Sequence, residues 1–510
     1  DTPKGTLQMI AEVLPTDATD KSVTWAVTEI NGSATTKATI DTSGLLTAVK
    51  NGIVRVTATS VSEDVYGTKD ITITNNPDSK PDPKPNSSPS TPKQDNSFSI
   101  IVNGKVESAA TLVTTTVGGK TVTTVTLDDK KIQRGLEAEG NNSIITIPIK
   151  RNSDVVVVQL NGTTAKNMES KETVLEIKAG NVTYTLPVSE ININDVSSQI
   201  GDQIKLKDIK VNIKIAACSQ DTVKFVKDTA KKNGYQMVVR PVDFDITCTN
   251  GAKTIDVSKF NGYVERAIAI PDGINPTKIT TGVVLNNDGT FSHVPTAIIV
   301  VDDKYYAKIN SLTNSTYLVI WNELSFRDME GHWAKDDVND LGSRLVINGV
   351  SKEAFSPNKY ITRAEFASVI VKALGLMRPG TGKEVFSDVT SSAWYFDAVS
   401  IAYERGIVKG YNRTFKPMDK ITREEAMTML SKAMEIAKLE NKLSADVQNT
   451  LLAKFNDGKQ VSTWAKESVA ACLDSKIAIG TNNNILPHQN ITRAETAVLI
   501  RRMLKTAKLI

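Results

Sequence analysis

Between 326 and 510 the chain repeats itself three times, and no other feature limits its fold as much. Trp333, Trp394 and Trp464 are each followed sixteen residues later by a glycine, at Gly349, Gly410 and Gly480. Then come Pro357, Pro417 and Pro487, and four residues after each proline stands an Ile-Thr-Arg: ITRAE at 361–365, ITREE at 421–425 and ITRAE at 491–495. Ahead of each tryptophan lies a Phe-x-Asp, at Phe326/Asp328, Phe386/Asp388 and Phe455/Asp457. One supersecondary unit written three times implies three similar units that bury their apolar faces against one another.

The spacing predicts helix, loop, helix in each unit. Val338, Val399 and Val469 follow the tryptophans by five residues, and Leu341, Ala402 and Cys472 follow by eight, making one buried stripe. The second helices open at Thr-Arg, with apolar stripes through Phe366, Val369, Ile370, Ala373 and Leu374, then Met429, Leu430 and Ala433, then Leu499, Ile500, Met503 and Leu504. Thr-x-x-Glu before an apolar run is a capping box, so Thr362 with Glu365, Thr422 with Glu425 and Thr492 with Glu495 have a structural explanation worth about 1 kcal/mol each. The arginines do not. Arg363, Arg423 and Arg493 take the first helical position, where the helix dipole disfavours a cation. Either an internal carboxylate offsets that cost, Asp328 and its two equivalents being the candidates, or an external anion does. The tryptophans also leave two readings open. An indole at a helix start serves as core, and an exposed indole face serves as a platform for a sugar ring.

The remaining 325 residues are of another kind. Strand patterns fill 1–74, broken by turn signals that include Asn51-Gly52, a hairpin cue, and Trp25 sits mid-strand as a core residue. Residues 75–97 hold six prolines and almost nothing apolar, and form an extended spacer of roughly 70 Å at full stretch. Region 98–323 is β-rich and antiparallel, in one or two domains, with turns at Gly118-Gly119, 179–181, 286–289 and Asp302-Asp303. One helix is predicted from a cap at Ser219 to Gly234. The chain opens directly on a strand pattern, which we read as processing or as part of a longer chain.

Catalytic signatures are missing where they would be expected. There is no nucleophile elbow, zinc-binding His-Glu-x-x-His, phosphate loop or EF-hand loop, and His293, His332 and His488 lie in separate segments. We therefore expect no catalysis, no metal and no cofactor in this chain. A net charge of +4, from 61 basic and 57 acidic residues, gives no footprint for nucleic acid, and no apolar run suffices for a membrane span. Cys218 and Cys248 suit a disulfide if the chain is exported, or, with Cys472, serve as small buried hydrophobes.

Two resemblances follow from these residues. GLLTAVKNGIVRVTATS at 44–60 resembles bacterial immunoglobulin-like repeats (group 2), which implies a β-sandwich spacer or adhesion module over 1–74. Region 98–323 is loosely similar to segments that precede wall-anchoring repeats in surface proteins. The Phe-x-Asp, Trp-Ala, Gly and Ile-Thr-Arg-Ala-Glu motifs resemble S-layer homology domains in three copies, at 324–385, 386–454 with a connector, and 455–510. The fold class this implies is multidomain: an all-β sandwich, a β-rich middle, and an all-α triple repeat packed around a pseudo-threefold axis. The resemblance further implies grooves between repeats that bind secondary cell wall polysaccharide, often acidic through pyruvate ketals, on Gram-positive-type walls. Arg363, Arg423 and Arg493 would meet ligand carboxylate. Trp333, Trp394 and Trp464 would form groove walls, and Gly349, Gly410 and Gly480 would allow close backbone approach. An extracellular wall or S-layer location, with self-association in a lattice, is part of the same expectation. The alternative is the anchoring end of a longer polysaccharide hydrolase or an adhesin. The second repeat departs from the pattern: Glu424 would repel an anion, SSAWY replaces the Trp-Ala pair, and EIAKLENKLSADVQNTLLAK adds length after it.

Overall fold

The computed structural model describes residues 5–11, 13, 20–29, 34–61, 66–73, 97–201, 203–251, 253–439 and 442–510. It divides into two compact units, Asp1–Lys93 and Gln94–Ile510. The proline-rich stretch, except Ser97, lies outside the described residues.

The described residues of the first unit form two antiparallel three-stranded sheets. One orders Thr6–Gln8, Leu45–Ala48, Ala38–Ile40, the other Val23–Thr28, Gly52–Ser60, Tyr66–Ile73. Ala38, Leu46, Val54, Val56 and Ile73 from both sheets form a shared core, with Trp25 partly buried against it. The Asn51-Gly52 reading needs correction. The strands on its two sides pair in different sheets, so this turn carries the chain across the sandwich instead of closing a hairpin. At Gly52 φ is 144°, and a Cβ would lie 2.7 Å from the Lys37 side chain. Local turn chemistry specifies a reversal of direction, not which strand receives the partner.

In the second unit a 16-stranded sheet runs through most of 97–321. It is mixed, not purely antiparallel: Ile144–Ile149 runs parallel to Val174–Ala179, and Val155–Asn161 parallel to Lys120–Leu127. Parallel neighbours need crossovers, and two unpredicted helices lie on them, α1 (Asp129–Glu139), capped by Asp128, and α2 (Gly162–Ser170), capped by Asn161. After α3 (Ile193–Ile200) comes the predicted helix, α4 (Gln220–Lys232), with Ser219 accepting from Thr222 N and Gly234 just beyond at φ 81°. The Gly118-Gly119 turn has φ of 56° and 76° and pairs Val117 with Lys120, as expected of a two-residue hairpin. Asp302 and Asp303 at φ 48° and 59° turn the chain between Val301 and Lys304. All three cysteines are unpaired, with Cys248 and Cys472 buried. Among the described residues no helix is long and apolar enough to cross a membrane.

Among the described residues seven helices follow in the repeats. They are α5 (Lys335–Ser343), α6 (Arg363–Ala373), α7 (Phe396–Glu404), α8 (Arg423–Ile436), α9 (Ala445–Leu452), α10 (Lys466–Asp474) and α11 (Arg493–Thr506). The stripe residues Val338, Leu341, Val399, Ala402, Val469 and Cys472 are wholly buried in one helical core. The described part of the extra length after repeat two includes the tail of α8 and α9, which is capped by Ser444.

The sheet and the repeats share a junction. Leu312, on strand Lys304–Thr313, is buried in the helical core. Tyr263 Oη donates to Leu374 O at 3.0 Å, Arg378 Nη2 to Thr313 Oγ1 at 2.7 Å, and Arg344 Nη1 to Thr296 O at 3.1 Å. Gly375, at φ 69°, would carry any Cβ within 2.6 Å of Pro295. His293 is buried here, with Nδ1 2.9 Å from Thr281 Oγ1. Burial, reinforced by the Arg344 charge, pushes its pKa down to about 3. The unfolded chain therefore binds this proton first, and the stabilising effect of a neutral His293 is fully present above pH 6.5. It is lost progressively below that, at up to about 1.4 kcal/mol per pH unit. Thermal unfolding of the full chain at pH 7, 6 and 5 should show this loss, and His293→Asn should flatten it. An equally steep profile in the variant would contradict the assignment.

Candidate functional site

The three Ile-Thr-Arg segments meet in a ring. Ile361 N donates to Ile491 O at 3.1 Å, Ile491 N to Ile421 O at 3.1 Å, and Ile421 N to Ile361 O at 3.3 Å. The motif arginines extend the pattern through their amides. Arg363 N donates to Asp419 O at 3.0 Å, Arg423 N to Gln489 O at 2.9 Å, and Arg493 N to Lys359 O at 2.9 Å. A helix-start amide with no intrahelical acceptor is thus satisfied by a neighbouring repeat.

The capping boxes are present in all three repeats. Thr362 N donates to Glu365 Oε2 at 2.8 Å, Thr422 N to Glu425 Oε2 at 2.9 Å, and Thr492 N to Glu495 Oε2 at 2.8 Å. The other oxygen of each glutamate faces the arginine of another repeat. Arg363 Nη1 lies 3.1 Å from Glu425 Oε1, Arg423 Nη1 2.6 Å from Glu495 Oε1, and Arg493 Nη1 3.5 Å from Glu365 Oε1. Each Nε also donates to a backbone oxygen of another repeat, on Phe415, Ile485 and Phe355. The guanidinium groups of Arg363 and Arg493 stand 5.1 and 4.5 Å from the rings of Phe415 and Phe355.

The internal partner is therefore the capping glutamate, not Asp328 or its equivalents. Those aspartates are engaged elsewhere. Asp328 accepts from Phe355 N and Ser356 N, Asp388 from Phe415 N and Lys416 N, and Asp457 from Ile485 N and Leu486 N, all at 2.6–3.0 Å. Ser356, Lys416 and Leu486 have φ near 60°, a costly conformation for a residue with a side chain, and the aspartate holds it. The cross-repeat pairing had a signal in the sequence: three arginines and three glutamates at one fixed offset, with each glutamate's second oxygen unassigned.

The tryptophans do not serve as core. Trp333, Trp394 and Trp464 are 66%, 63% and 59% exposed. The glycines pack tightly behind them. A Cβ at Gly349, Gly410 or Gly480 would fall 2.6, 2.3 or 2.4 Å from the ring of Phe326, Phe386 or Phe455, the phenylalanine of the same repeat's Phe-x-Asp. Glu424 is 4% exposed and turned away from solvent. Its two oxygens accept from Ser462 N at 2.9 Å and Ser462 Oγ at 2.8 Å, and His488 Nε2 lies 3.5 Å away. Its charge holds the entry to the turn that carries Trp464.

Gly349, Glu365, Lys372, Trp394 and Arg493 line a groove of about 220 Å³, which brings together side chains of all three repeats. Burial pushes the Arg493 pKa down, against the pull of Glu365 and Asp328. The arrangement suits an acidic ligand with an apolar ring face, held by a few placed donors. Among the described residues no group of three or more His, Cys, Asp or Glu could hold a metal ion.

Comparison with known proteins gives matches over parts of the chain. Residues 325–367, 385–427 and 454–497 match the S-layer homology domain, and residues 3–69 match the bacterial Ig-like domain (group 2). An amylopullulanase of Thermoanaerobacterium thermosulfurigenes is 28% identical over 370 residues, covering 70% of this chain and 19% of that protein. A match that long reaches beyond the repeats into the β-rich regions. Exoglucanase XynX of Acetivibrio thermocellus is 35% identical over 195 residues, 38% of this chain and 17% of that protein. S-layer protein sap of Bacillus anthracis is 31% identical over 171 residues, 34% of this chain and 20% of that protein. The matched part is thus about a fifth of the length of these relatives.

Breaking the tightest cross-repeat pair should destabilise the helical ring. Arg423→Ala removes one member of a largely buried pair and should cost about 3 kcal/mol. Glu495→Ala loses the cap as well as the pair and should cost a similar amount. The double variant should cost less than the sum by at least about 1 kcal/mol in denaturant titration. Additive losses would mean that the two residues act independently.

Proposed function

We propose that this cell-surface chain, with three S-layer homology repeats behind an Ig-like domain, attaches non-covalently to the bacterial wall by binding secondary cell wall polysaccharide. The observation that carries this reading is the exposure of three indoles at equivalent positions, around 60% in each. A soluble protein has no folding reason to present the same large apolar ring to water three times, whereas a glycan-binding face has one. In this reading the repeats pack around a pseudo-threefold axis, and the cyclic isoleucine and arginine–glutamate contacts support that packing.

Arg363, Arg423 and Arg493 act twice in this reading. Nε and Nη1 lock the repeats together, while Nη2 of Arg363 and of Arg423 makes no hydrogen bond among the described residues and stays available to a ligand carboxylate. Nη2 of Arg493 donates one N–H to Asn348 O at 2.6 Å and keeps its second N–H for the ligand. An acidic, pyruvylated glycan fits such donors. Trp333, Trp394 and Trp464 provide ring platforms, and Gly349, Gly410 and Gly480 keep the groove floors low. Region 98–323 and the Ig-like domain over 1–74 lie on the extracellular side, and self-association in an S-layer lattice is compatible with that location. The division at 324–385, 386–454 and 455–510 follows the repeats. A second reading has a specific support. Among the relatives are an amylopullulanase and an exoglucanase of which the match covers 19% and 17%. The chain would then be the anchoring end of a longer extracellular polysaccharide hydrolase, and a catalytic fold encoded upstream of Asp1 would decide for it.

Because the arginines also hold the fold, the tryptophans are the cleaner probes. Full chain should co-sediment with wall sacculi and stop doing so once acid has stripped the non-peptidoglycan polymer. Trp333→Ala, Trp394→Ala and Trp464→Ala together should weaken binding at least about tenfold. The melting temperature should stay within a few degrees, since exposed side chains contribute little to stability. Undiminished binding by the triple variant would overturn the groove assignment. Equal binding to stripped sacculi would overturn the polysaccharide as ligand.

A further inference from the structure

The three repeats are not equally equipped with cations, and the difference lies in one helical position. Nine residues after the motif arginine, on the second helix of each repeat, stand Lys372, Lys432 and Arg502. Lys432 is ion-paired with Glu435 one turn on, and Arg502 Nη1 reaches the Ile477 carbonyl at 3.4 Å. Lys372 has neither kind of partner among the described residues. It lines the groove that also contains Arg493, Gly349 and Trp394. The one carboxylate there, Glu365, is already committed. Oε2 accepts from Thr362 N at 2.8 Å, and Oε1 faces Arg493. Even that ion pair is slack, at 3.5 Å against 3.1 and 2.6 Å for its two counterparts.

We propose that Lys372 is a second anion contact in this groove, so that the carboxylate of an acidic wall glycan is gripped there by two cations, Lys372 and Arg493, whereas Lys432 and Arg502 are engaged within the protein. The inference rests on the anchoring reading above. A lysine in the last turn of a helix is favoured by the helix dipole, and that would explain Lys372 on an open surface. It does not explain why the stem is buried in a groove without a counter-ion, where desolvation acts against the charge and pushes the pKa down. A folded protein keeps a charge at such a cost where a ligand meets it. Arg493 lines the same groove and is also depressed by burial, although Glu365 faces its Nη1 and its Nη2 donates to Asn348 O at 2.6 Å. Two partly desolvated donors beside the exposed Trp394 make a pocket for a carboxylate attached to a sugar ring. Glu424 does not compete for this ligand, since Ser462 occupies both its oxygens.

The test is a titration of full chain with wall sacculi that carry a pyruvylated polysaccharide, in parallel with thermal unfolding. The variants are Lys372→Met, Lys372→Arg and Lys432→Met. Lys372→Met keeps the buried stem and removes the charge. We expect about a tenfold loss of sacculus binding, with a melting temperature unchanged or raised because an unpaired charge has left the groove. Lys372→Arg should restore most of the binding, and Lys432→Met should change it less than about twofold. Unchanged binding by Lys372→Met, beside a wild type that binds, overturns the proposal and leaves the anchoring reading standing. So does a loss that comes with a lowered melting temperature and is not rescued by arginine, because Lys372 would then be structural. An equal loss in Lys432→Met overturns the asymmetry between repeats. Absence of binding by the wild type overturns the anchoring reading itself, and this inference with it.

Discussion

A glutamate has two carboxylate oxygens, and the helical region depends on their being used for different things. In each repeat Oε2 closes the capping box of its own helix, while Oε1 faces an arginine from another repeat. That arginine sits where the helix dipole would otherwise disfavour it, and the foreign carboxylate compensates. Since the contacts run from repeat one to two, two to three and three to one, no repeat can be satisfied alone. Each helix start is completed by a neighbour, and the isoleucine ring closes the same circuit through the backbone. The five-residue motif is therefore an assembly device as well as a cap.

The groove walls follow from this lock. Asp328, Asp388 and Asp457 hold the left-handed residue before each motif proline, which aims the loop at the next repeat. Phe326, Phe386 and Phe455 fill the space that a side chain at Gly349, Gly410 or Gly480 would need. The tryptophans are left outside this packing, and their exposure is a consequence of where the core ends. The β-rich region is not a free neighbour either. Leu312 enters the helical core, and Arg344, Leu374 and Arg378 are hydrogen-bonded to the sheet. Repeat one is therefore braced from one side by the sheet, and its groove partner Arg493 comes from repeat three.

Much of this was legible in the sequence where the signal is local. The capping boxes, the buried stripes through Val338, Val399 and Val469, the Gly118-Gly119 hairpin and the helix after Ser219 are short-range patterns, and the structure contains them. What failed was long-range. Asn51-Gly52 turns the chain but sends it to the opposite sheet, a choice made by strands elsewhere. The two parallel strand pairs depend on α1 and α2, whose polar sequences carry only a narrow apolar stripe. The arginine partner was sought in Asp328, while the correct carboxylate already had an assigned task in Glu425, Glu495 and Glu365. For the tryptophans, periodicity cannot separate an indole that opens a helix inside the core from one that opens it at the rim.

The proposed anchoring would place the wall ligand in the groove bounded by Gly349, Trp394 and Arg493. Hydrogen–deuterium exchange of the full chain, with and without soluble polysaccharide released from sacculi, tests it most directly. Added protection should concentrate in 346–350, around Trp394 and at the start of α11, with the sheet over 97–321 unchanged. Protection confined to that sheet or to the Ig-like domain, with the repeats unaffected, would contradict it.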